Sequence, residues 1–162
     1  MMDVAQFWQL IEYARENAGG DVDEQAADLT DLLSDLPPAE IAAFDRTFRQ
    51  LLNDAYGWDL WAAAFIINGG CSDDSFEYFR CWLIAQGERV YREALADPES
   101  LVGRAEPDAE AESMLYAAQD AYEVETGRKL TADFTPPTEP AGEPWEEDQL
   151  AAMYPRLWAA FP

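Results

Sequence analysis

The sequence predicts an all-α fold: an irregular helical bundle around a central apolar helix, with a Pro-rich extended segment and a C-terminal helical anchor. Three observations predict it. Apolar residues recur three or four apart in one segment after another. Glycine and proline fall between those segments. No stretch of alternating apolar and polar residues marks a strand.

The first stripe is Val4, Phe7, Trp8, Ile11 and Ala14, stopped by Gly19-Gly20. A second helix is expected over 21–36, with Val22, Leu29, Leu32, Leu33 and Leu36 on its inner side. Pro37-Pro38 ends it and opens a third helix. There Ile41, Phe44, Phe48, Leu51 and Leu52 keep helical spacing, and Gly57 is the stop. Residues 58–68 are apolar nearly all round, the pattern of a helix buried on most sides and so the expected centre of the bundle. Gly69-Gly70 end it. Ser72 or Asp74 then caps a helix over 73–86, Asp74 and Glu77 having capping-box spacing.

Gly87 interrupts the path before a helix over 88–96, which Asp97-Pro98 ends. Another helix is expected over 107–126, with Met114, Leu115, Ala118 and Tyr122 on one side and Gly127 as its stop. Pro136, Pro137, Pro140 and Pro144 make 131–144 an extended connector inside a single domain covering 1–162. Residues 145–161 return as a short aromatic helix pair broken near Pro155, with Trp145 and Trp158 pinning the tail to the body.

With 162 residues, 49% of them hydrophobic, the chain has the apolar content of a globular domain and needs neither disulfides nor metal to hold a core. Its 33 Asp plus Glu against 10 Lys plus Arg give a formal charge of −23. That charge argues against nucleic acid and against anionic membranes, and favours a basic protein partner or a cation. The apolar stretch Leu60–Ile67 is far short of the ~20 residues of a membrane span. No basic-then-apolar leader pattern opens the sequence. Cys71 and Cys81 do not make a secreted disulfide framework, so a reducing cytoplasm and a monomer or small homo-oligomer are expected.

Histidine is absent, which excludes Ser-His-Asp and Cys-His catalysis and leaves two cysteines short of a zinc site. The chemistry-bearing residues gather in and after the apolar helix: Trp58, Asp59, Asn68, Cys71, Ser72, Asp73, Asp74 and Arg80. Asp59, amid Trp58, Leu60 and Trp61, is either a first-turn acid at the positive end of a helix or a buried acid paired with Arg80. Asp73 and Asp74 are either helix caps or, with Asp59 or Glu77, oxygen ligands for a divalent cation. Arg80 needs a carboxylate, with Asp59, Asp73 and Asp74 as candidates, or else it hooks an anion. Cys71, just before a helix N-terminus, is a packing residue or a thiol of lowered pKa. Gly69-Gly70 matches no phosphate-binding fingerprint.

FWQLIE near the start, WDLWAAAFIINGGCSDDSFEYFRCWLIAQG in the middle, ALADPESL after it and PRLWAAF in the tail resemble a bacterial domain-of-unknown-function family, DUF4240. The resemblance implies that the central block is the family signature. It brings no catalytic residue, no cofactor and no activity.

The function expected is a non-catalytic protein-interaction or regulatory module with no cofactor. Residues 3–45 hold eleven acids and one base, Arg15, and 106–125 hold seven acids and no base. These are solvated helix faces or ordered charge for a basic partner, DNA mimicry included. The alternative is a divalent-metal-dependent enzyme or small-ligand-binding protein with its pocket near Asp59, Asp73, Asp74 and Arg80.

Overall fold

The computed structural model describes residues 2–131 and 135–162, so 132–134 of the expected connector, and Met1, lie outside the described residues. The fold is all-α. The first three helices are α1 (Val4–Ala18), α2 (Val22–Ser34) and α3 (Pro38–Asp54). Asp3 opens α1 with a reciprocal capping box: Gln6 N donates to its side chain at 2.8 Å, and Asp3 N donates to the Gln6 side chain at 3.0 Å. Asp21 caps α2 by accepting from Asp23 N and Glu24 N. Pro38 occupies the first turn of α3, where its missing N–H costs nothing. Phe7, Trp8, Ile11, Leu29, Leu33, Ile41, Phe44 and Phe48 bury one continuous core, with the Phe7 and Phe44 rings 4.6 Å apart.

Helices α4 (Trp58–Asn68), α5 (Asp73–Ala85) and α6 (Glu88–Ala96) follow, then a 3₁₀ turn at Pro98–Leu101. Gly69, at φ 68°, gives α4 its left-handed end. Of the two expected caps for α5 it is Ser72 that acts, accepting from Ser75 N at 3.2 Å.

The centre of the bundle is α5, not α4. Helix α5 touches α1, α2, α3, α4, α6 and a second 3₁₀ turn at Glu112–Tyr116, and buries Phe76, Phe79, Cys81, Leu83, Ile84 and Ala85. Helix α4 buries Leu60, Ala62, Ala63, Ala64, Ile66 and Ile67, yet its main neighbours are α5, the Pro98–Leu101 turn and the C-terminal helix. Trp58, Trp61 and Phe65 stay half-buried on its outer face. An apolar circumference signals burial, but it does not distinguish a neighbouring helix from a returning loop.

The helix expected over 107–126 begins later. Asp108 sits at φ 66°, the backbone N–H groups of Ala109 and Ala111 donate to Asn68 and Tyr78, and the 3₁₀ turn Glu112–Tyr116 leads into α7 (Ala117–Thr126). Donors taken by tertiary partners leave no i−4 ladder at 107–111. Helix α7 packs on α2 and α3.

The connector returns along the α3–α4 junction. Ala141 N donates to Tyr56 O and Trp58 N donates to Ala141 O, both at 2.9 Å, which makes a single parallel bridge. The tail then forms a 3₁₀ turn at Glu147–Gln149, α8 (Leu150–Met153) and α9 (Pro155–Ala160). Trp145 pins it as expected: its indole N–H donates to Trp58 O at 2.7 Å, and its ring meets those of Trp58 and Phe65 edge-on. Trp158 does not; it is 46% exposed, and Leu150, Tyr154 and Leu157 are the buried residues of the tail. A helix of six residues has one inward stripe, and Leu157 holds it. No helix of the described residues is long and apolar enough to cross a membrane.

Candidate functional site

The central block, residues 58–86, is built by aromatic stacking. Trp58 and Trp61, three residues apart on α4, lie parallel with ring centres 5.2 Å apart, and Trp61 stacks in turn on Phe76 of α5 at 5.0 Å. The Trp61 indole donates to Cys71 O at 2.9 Å, which ties the turn between the helices to α4. Tyr56 closes the ladder, its ring 5.9 Å from Phe76 and its hydroxyl donating to Asp73 Oδ1 at 2.9 Å. Burial and that carboxylate both push the Tyr56 phenol up, so it remains a donor at neutral pH.

Arg80 is the buried cation of this block, 6% exposed. It does not pair with Asp59. Its Nη1 donates to Leu52 O at 2.7 Å and its Nε to Phe76 O at 3.3 Å. Its guanidinium lies 4.6 Å from the Tyr56 ring centre and 4.8 Å from that of Phe76. Leu52 is in the last turn of α3, where carbonyls lack intrahelical partners and the helix dipole is negative. The Tyr91 hydroxyl serves the neighbouring Leu51 O at 2.7 Å. A helix end and two aromatic faces thus replace the carboxylate that the sequence led us to expect. Burial lowers the Arg80 pKa from its ordinary value, with Glu77 the main opposing charge.

Asp59 is exposed in the first turn of α4 and accepts from the Tyr154 hydroxyl at 3.2 Å. That phenol is pushed up to about 12, first by burial and then by the Asp59 charge. Asp59 therefore meets the tail, and Asp73 meets Tyr56. Asp74 is exposed at the start of α5. Ser72 is the α5 cap, and Asn68 Oδ1 accepts from Ala109 N at 3.1 Å. The Cys71 thiol is pushed up to about 12, chiefly by burial and then by Glu110, so it is not an activated nucleophile. Among the described residues no three Asp, Glu, Cys or His side chains are placed to hold a metal ion.

A cavity of about 250 Å³ opens beside Arg80. Arg49, Leu52, Asn53 and Tyr56 line it from α3 and the following turn, Asp73, Glu77 and Arg80 from α5, and Pro136 and Pro137 from the returning connector. Of the expected site residues only Asp73 and Arg80 line it; Trp58, Asp59, Asn68, Cys71, Ser72 and Asp74 do not. Arg49 on its wall donates to the buried Asp45 carboxylate at 3.1 Å. Asp45 and Gln25, the other buried polar or charged residues among those described, carry no sequence signal beyond an interruption of the apolar stripe.

A family model described as "Protein of unknown function (DUF4240)" matches residues 2–124. The chain belongs to this family. No curated protein and no solved structure matches the chain. The DUF4240 match contains every cavity residue except Pro136 and Pro137, and stops before the connector and the tail. The aromatic ladder through Trp58, Trp61, Phe76 and Tyr56 is thus DUF4240 sequence, and Trp145, which covers it, is not.

Proposed function

We propose that this chain is a non-catalytic acidic module that binds a basic protein. The observation that carries this reading is the use to which the polar groups of the central block are put. Ser72 is a cap, Arg80 serves a helix end, Asn68 and Trp61 tie loops, Asp59 and Asp73 accept from tyrosines, and Cys71 keeps its proton. These are structural duties, and among the block's carboxylates only Asp74 and Glu77 stand outside them. Against this stands a charge of −23, with Arg15, Arg49, Arg89, Arg92, Arg104 and Arg156 already engaged by carboxylates. Unneutralised surface carboxylate attracts a cationic partner over long range and loses that attraction in salt. A cytoplasmic, bacterial setting is part of the proposal. The test is affinity capture at low and high salt with the purified chain as bait. A basic protein retained at low salt and released at high salt is expected; turnover of a small molecule by a preparation that captures no protein would replace this reading.

A second reading rests on the cavity beside Arg80. It presents two guanidinium groups and two carboxylates around a tyrosine and an asparagine, a lining suited to a small zwitterion. Calorimetry with free amino acids, and separately with Mg²⁺, Mn²⁺ and Ca²⁺, tests it; saturable heat that disappears in Tyr56→Phe supports it.

A further inference from the structure

A second concavity lies on the opposite kind of surface. Helices α1 and α2, joined through Gly19 and Gly20, leave between them and the start of α3 a groove of about 400 Å³. Met2, Leu10, Leu32 and Leu36 form its floor, and Tyr13, 56% exposed, stands as a wall. Acids sit one helical turn from these residues: Asp3 before Gln6, Glu16 after Tyr13, Asp28 before Leu32, and Asp35 just after α2. Glu40 of α3, which also lines the groove, is engaged, whereas among the described residues the side chains of Glu16, Asp28 and Asp35 make no hydrogen bond or ion pair. Arg15, the base nearest in sequence to Glu16 and Asp28, faces Glu12 at 4.0 Å.

We propose that this groove receives a cationic amphipathic helix of a partner protein. This rests on the reading above that the partner is basic, and it names the surface and the shape that fits. The floor calls for apolar side chains, and the Glu16, Asp28 and Asp35 carboxylates beside it call for lysine or arginine. The groove walls are helix faces whose backbone groups are already bonded, so an extended peptide would find no ladder partners. A helix brings its own backbone satisfied and presents anchors at i, i+3, i+4 and i+7. A second copy of this chain is a poor occupant. It repeats the same negative charge, and its arginine-bearing helix α6 holds Arg89 and Arg92 in ion pairs with Glu93 and Glu88.

The test uses the full chain and a synthetic Leu/Lys helical peptide with leucines on one face. A peptide of the same composition with leucines scattered round the helix is the comparison, and binding is read by fluorescence anisotropy at several salt concentrations. The one-faced peptide is expected to bind roughly tenfold tighter than the scattered one, because apolar docking adds to charge. Tyr13→Ala should weaken it roughly fivefold, and Glu16→Gln/Asp28→Asn/Asp35→Asn roughly tenfold with a shallower salt dependence. Glu139→Gln/Glu143→Gln/Glu147→Gln, an equal change of charge outside the groove, should leave it within about twofold. Equal binding of the two peptides, or equal loss in the two triple variants, would overturn the groove and leave the basic-partner reading standing. No binding of either peptide at low salt would overturn both.

Discussion

Arg80 shows how a single residue holds its neighbourhood. Its guanidinium bonds Leu52 O at the end of α3 and lies against Tyr56 and Phe76. Arg80→Ala removes a charge-assisted donor and opens a void, and is expected to cost about 2–4 kcal/mol in urea unfolding. Arg80→Lys keeps the charge at the helix end but loses the planar fork and the ring contacts, and should recover about half of that. A cost below about 1 kcal/mol for the alanine variant would free Arg80 for the small-ligand reading. Asp45 gives a pH signature. Burial raises its pKa despite Arg49 beside it. A folded-state pKa above the unfolded one means that the stabilising contribution is whole below the ordinary carboxylate range and is lost as pH rises through the folded value. Asp45→Asn imitates the protonated form. It should melt higher than the parent at pH 7 and match it near about pH 3. A lower melting temperature at pH 7 would mean that the Arg49 contact outweighs burial.

At the scale of elements, the openings at Ser72 and Pro38 and the stops at Gly19, Gly69 and Gly127 are legible because they are local chemistry, whereas the caps at Asp3 and Asp21 and the late start of α7 emerge only in the structure. Asp3, Asp21 and Ser72 cap, Pro38 opens, and Gly19, Gly69 and Gly127 end helices with left-handed backbone. What else was not legible depends on partners distant in sequence. Arg80 finds a helix-end carbonyl, and such carbonyls carry no residue-type signature. Gln25 is buried on α2 because its amide donates to Ala85 O at the end of α5 and reaches Ile11 O on α1. The apolar girth of α4 suggested the hub, yet α5, with Arg80 in its buried set, holds that place. Gly87 marks an interruption in the sequence, and the structure gives the reason: it opens α6 at φ 102°, with Glu12 where a Cβ would go. Gly87→Ala should therefore cost about 1–3 kcal/mol by thermal or urea unfolding, whereas an alanine that stabilised α6 would show that Glu12 moves aside and the backbone relaxes.

The whole molecule divides at the edge of the family match. Residues 2–124 carry most of the core, and the later residues dock back on α4 and on the Pro98–Leu101 turn. On α4, Trp145 and Ala141 bond at Trp58 and Tyr154 donates to Asp59; at the turn, Glu99 Oε2 accepts from Arg156 N at 2.7 Å and Leu157 N at 3.0 Å and so satisfies the start of α9. Glu99→Ala should detach the α9 end first. Limited proteolysis is expected to cut the variant in 146–160 faster than the parent, with 2–124 protected in both. Cleavage inside α1–α3 at the same rate would show instead that the tail is needed for the whole bundle.

The parallel indoles of Trp58 and Trp61, with Trp145 set edge-on against them, have an optical consequence. Three chromophores held in fixed mutual orientation give the ring transitions a dissymmetric coupling. Departure of the third would alter near-ultraviolet circular dichroism and indole emission together. The native polypeptide thus contains an unlabelled gauge of whether its own wrapping is seated, readable in the same cuvette in which any binding partner is titrated.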